Sequence, residues 1–158
     1  MGETVKRVLV ALPLIALAIA IVIAGGPWFA GVVTILGIIG LREFFAMADG
    51  YAPLRTAAYI GLPAMVAAAW LGTSFNVLMF LALPFLLVFI AAIRRPGVEG
   101  VTRSMAITIF GLFWIGIPLV HAVLLRELPD HGAALVTDVL IGTFVADTGA
   151  YAVGRMFG

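Results

Sequence analysis

The sequence contains no cysteine and a single lysine, Lys6, and charged residues make up 11% of its 158 positions. Without cysteine there are no disulfides, no thiolate metal site and no cysteine nucleophile. The formal net charge of +1 leaves no basic excess to hold nucleic acid. The two histidines, His121 and His131, do not stand at metal-ligand spacing. There is no low-complexity segment and no convincing internal repeat.

What fills the chain instead is apolar. Hydrophobic residues are 64% of the total and the mean hydropathy is +1.23, where soluble domains carry about 45–50% apolar and about 25% charged residues. The apolar runs are long and continuous, unlike the short alternating segments of a transmembrane barrel. The expected class is all-α, a polytopic transmembrane helical bundle forming a single transmembrane domain over residues 1–158. Its immediate partner is the lipid bilayer.

A membrane span needs about 20 mostly apolar residues, and six candidates meet that requirement. They run from Val8 to about Ala24, Trp28 to Met47, Thr56 to Leu71, Phe75 to Ile93, Ser104 to Leu125, and Gly132 to Val153. Lys6, Arg7, Arg42, Arg55, Arg94, Arg95, Arg103 and Arg155 then fall on one side, and Arg126 alone on the other. Basic residues concentrate in cytoplasmic loops, so both termini are expected in the cytoplasm. The first apolar run, about 17 residues, exceeds the usual apolar core of a cleaved signal peptide. Pro63, Pro84 and Pro118 lie inside spans and read as kinks, tolerated where neighbours satisfy the freed carbonyls.

Few polar residues remain to be explained. Asp147 lies fifteen residues into the sixth span, about 22 Å along the helix and in the cytoplasmic third of the bilayer. Thr143, Asp147 and Tyr151, spaced by four, share one face. An intramembrane acid usually faces a bundle interior or a watery cavity and marks a functional site; the plainer reading is an aspartate reaching the interface. Asp138 lies on the opposite face, near the external end, and reads as interfacial. Arg42 and Glu43 close the second span as an interfacial charge pair, or Glu43 faces the same cavity as Asp147. His121 reads as a hydrogen-bonded surface group. Trp28, Trp70 and Trp114 are lipid-facing or packing groups. Asp147-Thr148-Gly149 spells the triplet of aspartic proteases, but that chemistry needs two aspartates sharing a proton, and here the triplet sits in an apolar helix. Gly149 and Gly154 are expected to allow close backbone approach or to break the helix near Arg155. A loosened helix end beside an arginine suits a phosphate; an ordinary helix end with a cytoplasmic anchor is the alternative.

Taken together, "ADTGAYAVGRMFG" resembles the core of the CDP-diacylglycerol synthases, or phosphatidate cytidylyltransferases. These enzymes carry an Asp-Thr-Gly-Ala-Tyr stretch and a Gly-Arg-x-Phe-Gly stretch, present here as Asp147 to Tyr151 and Gly154 to Gly158. "ITIFGLFWIGIPLVHAVLLRE" and "LREFFAMA" are also similar to family segments. The resemblance is specific from Ser104 to Gly158. It implies a bacterial inner-membrane enzyme of phospholipid biosynthesis, with CTP and phosphatidate as substrates and Mg²⁺ as cofactor. Asp147 would be catalytic and a metal ligand, or would orient the nucleotide. Thr148, Gly149, Tyr151 and Arg155 would contact substrate. A homo-oligomer is compatible with the resemblance.

Family members continue beyond the equivalent of Gly158, through a Ser-Pro-Lys-Lys-Thr-type stretch and a signature rich in Lys, Asp and Arg. The chain therefore reads as the N-terminal portion of such an enzyme, inactive by itself. Two other readings stay open on the residues alone. A transporter or channel subunit predicts ion flux that depends on Asp147 and is indifferent to CTP. A non-catalytic scaffold predicts that Asp147→Asn alters assembly alone. Flux and CTP-turnover assays on the Asp147→Asn protein separate the three.

Overall fold

A computed structural model describes residues 3–72 and 74–157. All its long elements are α-helices: α1 Glu3–Ala24, α2 Gly26–Met47, α3 Arg55–Leu71, α4 Ser74–Ile93, α5 Val101–Arg126 and α6 Gly132–Phe157. Each coincides with one of the six expected spans, within a few residues at the ends. Among the described residues, α2, α5 and α6 are long and apolar enough to cross a membrane. The helices run through Pro13, Pro63, Pro84 and Pro118 without interruption. Trp28 and Trp114 are exposed, as lipid-facing groups would be.

The residues group into two compact units. One contains Gly26 to Leu124; the other contains the chain up to Gly25 together with Leu125 onward.

In the larger unit, α3 packs against α2 and against α4. Its core is built by Leu41 and Phe45 of α2, Leu62, Met65 and Val66 of α3, Val88 of α4, and Leu112 and Val120 of α5. Between apolar helices in lipid the hydrophobic effect offers little, so small residues that let backbones approach set the packing. Glycines occupy those positions here. A Cβ at Gly37 would run into Leu62 and Leu119, one at Gly111 into the rings of Phe44 and Phe45, and one at Gly116 into Met65 and Leu62. The Phe85 and Phe113 rings, with centroids 5.2 Å apart, join α4 to α5.

The connection from α2 to α3 is held by side chains from α5. It contains a 3-10 turn at Asp49–Tyr51 and a left-handed residue, Ala52, with φ +47°. Thr108 Oγ1 accepts from Leu54 N–H at 2.8 Å and donates to Ser104 C=O at 2.6 Å. Ser104 Oγ accepts from Arg95, and its one proton lies between the carbonyls of Tyr51 at 3.0 Å and Gly100 at 3.2 Å. Ser104 and Thr108 are 1% and 0% exposed, so these bonds carry the desolvation of both hydroxyls. Arg55 closes the same end, donating through Nη2 to Asp49 Oδ1 at 2.6 Å and to Phe45 C=O at 3.3 Å.

In the smaller unit α1 packs against α6. The end of α1 is capped by Arg126, whose Nε donates to Val22 C=O and whose Nη2 donates to Ile23 C=O at 2.9 Å. Those carbonyls belong to the last turn of α1, which has no intrahelical donors for them. Gly25 completes the cap at φ +61°, donating to Ile21 C=O at 3.1 Å, and a Cβ there would strike the Arg126 guanidinium.

Gly132, the first residue of α6, is buried, and its Cα lies against the backbone carbonyls of Leu125 and Arg126. A side chain there meets backbone that cannot swing aside. We expect Gly132→Ala to destabilise the protein by about 1–3 kcal/mol, while Gly31→Ala, which meets nothing within 4 Å, is neutral or mildly stabilising. Thermal unfolding in detergent, followed by circular dichroism, tests the pair; equal midpoints would contradict the contact.

Candidate functional site

The residues singled out in the sequence lie on the last turns of α6. This helix forms because its apolar sequence satisfies every interior backbone group within itself, the only economical arrangement in lipid. It continues past both glycines to Phe157, so neither Gly149 nor Gly154 breaks it. That corrects the expected loosened end. A helix-interior glycine costs only about 1 kcal/mol relative to alanine, too little to forfeit the intrahelical bonds beyond it. Arg155 therefore occupies a regular helical turn.

The unbroken helix fixes the angular positions. Thr143, Asp147, Tyr151 and Arg155 follow one another at four-residue spacing and form one polar stripe. Arg155 Nη1 donates to Tyr151 Oη at 3.2 Å, which ties the guanidinium to the phenol one turn earlier. Thr143 Oγ1 donates to its own helix, to Val139 C=O at 2.9 Å. Asp147 and Arg155 stand two turns apart, about 12 Å along the axis, with Tyr151 between them. The stripe offers a carboxylate at one level and a cation at the other. Thr148 and Gly149 do not share it, since they are rotated by about 100° and 200° from Asp147.

Every residue from Ile141 to Phe157 is exposed, including the whole stripe. Glu43 and Arg42 are also exposed, at the end of α2. Asp138 is exposed in the second turn of α6, while neighbouring Thr137 bonds back to Ala133 C=O at 2.8 Å. His121 is an exposed group bonded to its own helix, its Nδ1 lying 2.8 Å from Ile117 C=O, as the surface reading expects.

Among the described residues no three His, Cys, Asp or Glu side chains stand together as a metal site. A complete protein cage for a divalent cation is thus not formed by them. Mg²⁺, however, is commonly held by one or two carboxylates together with substrate phosphates. Asp147 fits that shared mode as one oxygen ligand.

The polar cluster of Ser104, Thr108, Arg95 and Arg55 escaped the sequence reading. Its signal was present as two hydroxyl residues four apart in the opening turns of an otherwise apolar helix, close to the charges that begin and end spans.

Long apolar helices and a polar stripe on one of them define a helical membrane protein. The chain belongs to the cytidylyltransferase family, whose model matches residues 5–158. This is the family of CDP-diacylglycerol synthase, and membership supports a nucleotidyltransferase. No curated protein and no solved structure matches it.

The open surroundings of Gly149, where a Cβ meets nothing within 4 Å, carry a consequence. In this chain Gly149→Ala should raise helix stability by about 0.5–1 kcal/mol. A thermal melt in detergent checks this. A lowered midpoint would show that another group lies against Gly149.

Proposed function

We propose that the chain contributes to a phosphatidate cytidylyltransferase, transferring CMP from CTP to phosphatidate in phospholipid biosynthesis. The observation that carries this reading is the family match over residues 5–158, joined to the carboxylate–phenol–guanidinium stripe of α6. A phosphate oxygen of phosphatidate attacks the α-phosphorus of CTP. The bond from that phosphorus to the bridging oxygen breaks, and pyrophosphate leaves with its electron pair. The products are CDP-diacylglycerol and pyrophosphate.

Transfers of this kind depend on positioning and charge neutralisation more than on covalent help from the protein. Arg155 would hold a phosphate of the nucleotide or the lipid, oriented by its bond to Tyr151. Asp147 would supply an oxygen ligand to Mg²⁺ shared with the triphosphate, or would orient the nucleotide. When bound, the cation supplies neutralisation of phosphate charge. Thr148, about 100° round the helix from Asp147, and Gly149, on its far side, would contact substrate off the stripe.

The same reading includes six membrane spans, both termini in the cytoplasm where CTP is found, and residence in a bacterial inner membrane, with a homo-oligomer admissible. It is supported by the placement of eight of the nine basic residues on one side of the six-span topology. A single carboxylate on the α6 stripe, with no group of three metal-ligating side chains among the described residues, supports inactivity of these 158 residues alone.

In the active enzyme, Asp147→Asn should lower turnover of CTP and phosphatidate by about 10²-fold or more. The assay is radiolabelled CDP-diacylglycerol formation in detergent–lipid micelles. Unchanged turnover would remove Asp147 from the chemistry, and CDP-diacylglycerol made by the 158 residues alone would refute their inactivity.

A further inference from the structure

The larger unit carries a groove of about 510 Å³ between the start of α3 and the end of α4, away from the α6 motif in sequence and composition. Its walls are apolar, formed by Ala57 and Ile60 of α3 and Leu87, Ile90 and Ala91 of α4. Two arginines, Arg55 and Arg94, also line it. Their positions follow from the hairpin. The helices α3 and α4 are joined through Gly72, at φ +66°, so the first residue of α3 and the residue after Ile93 come to the same end. The groove is therefore cationic at the helix ends and apolar toward the helix middles.

We propose that this groove binds one anionic phospholipid of the surrounding bilayer, its phosphodiester on Arg55 and Arg94 and its first acyl methylenes against Ile60, Leu87 and Ile90. Charge complementarity selects the occupant. Guanidinium groups form strong paired bonds to phosphate oxygens, and arginines near a membrane surface attract anionic headgroups at about 1 kcal/mol each. An apolar wall directly beneath the cations has no use for a free anion, but suits a molecule that carries both charge and chain. Arg55 is already aimed by its bonds to Asp49 and Phe45, both made through Nη2. A phosphate oxygen can accept from Nη1 without breaking them, and the Arg94 guanidinium would supply the paired contact. The headgroup would thus reinforce the α2–α3 connection that Arg55 closes. This lipid is a resident one. Its binding does not depend on the cytidylyl-transfer reading, since no residue of the groove belongs to the stripe of α6.

The test is lipid retention. The protein is purified from nanodiscs made with equal phosphatidylglycerol and phosphatidylcholine, and native mass spectrometry counts the lipids that survive delipidation. One phosphatidylglycerol should remain per chain, in preference to phosphatidylcholine. Arg94→Ala should reduce its occupancy roughly fivefold, and Ile90→Asn should also reduce it by spoiling the wall. Arg103→Ala, outside the groove, should leave it unchanged. Because Arg94 is exposed, its loss should not prevent folding, which the circular dichroism melt verifies. Equal retention of the two lipids, or retention indifferent to Arg94→Ala, would overturn the proposal. So would displacement of the lipid by millimolar inorganic phosphate, which would reduce the site to an anion site without a chain.

Discussion

Polar backbone in an apolar chain has to find its partners within the chain, and this constraint shapes each described helix junction. Among the described residues no buried side-chain nitrogen or oxygen lacks a hydrogen-bond partner. The few polar side chains are spent where helices end. Arg126 takes two carbonyls from the end of α1. Thr108 supplies an acceptor to Leu54 at the entrance to α3. Arg95 reaches Ala52 C=O at 3.3 Å in the same connection. Each such group would cost about 1–3 kcal/mol if buried and left unpaired, comparable to the contribution of a whole packed side chain. A bundle with so few charges therefore cannot place them casually.

The second constraint is distance between helices. Leucine and valine are no more attracted to one another than to acyl chains, so a stable helix pair needs close contact over many atoms. Gly37, Gly111 and Gly116 provide it by admitting leucine, phenylalanine and methionine side chains from the facing helix. Gly132 does the same at the start of α6, where what approaches is backbone. The polar pins and the glycine contacts serve one end: the pins hold the end of α1 and the entrance to α3, and the glycines fix how near helices lie to one another.

The positions of all six helices were legible because hydropathy and its interruptions are local. Gly25, Pro53, Gly72, the segment near Pro96, and residues 127–131 each interrupt an apolar run, and each lies at a helix end or between helices. What the local pattern could not convey is partnership across the chain. Arg126 counted in the sequence only as the lone basic residue on its side, yet it bonds to residues more than a hundred positions earlier. Ser104 entered only as the start of a span, and its bond to Tyr51 C=O is equally invisible to periodicity. Gly149 and Gly154 failed in the other direction. Their weak local preference against helix leaves a break and an ordinary helix end both open, and the cooperative gain of continuing to Phe157 decides for the ordinary helix. The stripe of α6 was legible for the same reason as the helices, since it depends only on spacing by four.

That stripe also sets α6 apart in composition from a wholly apolar, lipid-facing helix. An aspartate at the centre of a membrane helix costs about 2.5–3.5 kcal/mol on insertion scales and less toward the interface, where Asp147 is expected, and Thr143, Tyr151 and Arg155 form a series with it at four-residue spacing. From Ile141 to Phe157 every described side chain is exposed. A helix with one polar face and an apolar remainder is stable in a bilayer when the polar face borders water, ligand or other protein. A polyanionic nucleotide with its cation would satisfy Asp147 and Arg155 together, two turns apart, where a single small ion would satisfy only one of them. One occupant of that kind would offset the cost of the stripe and take part in the chemistry proposed for it.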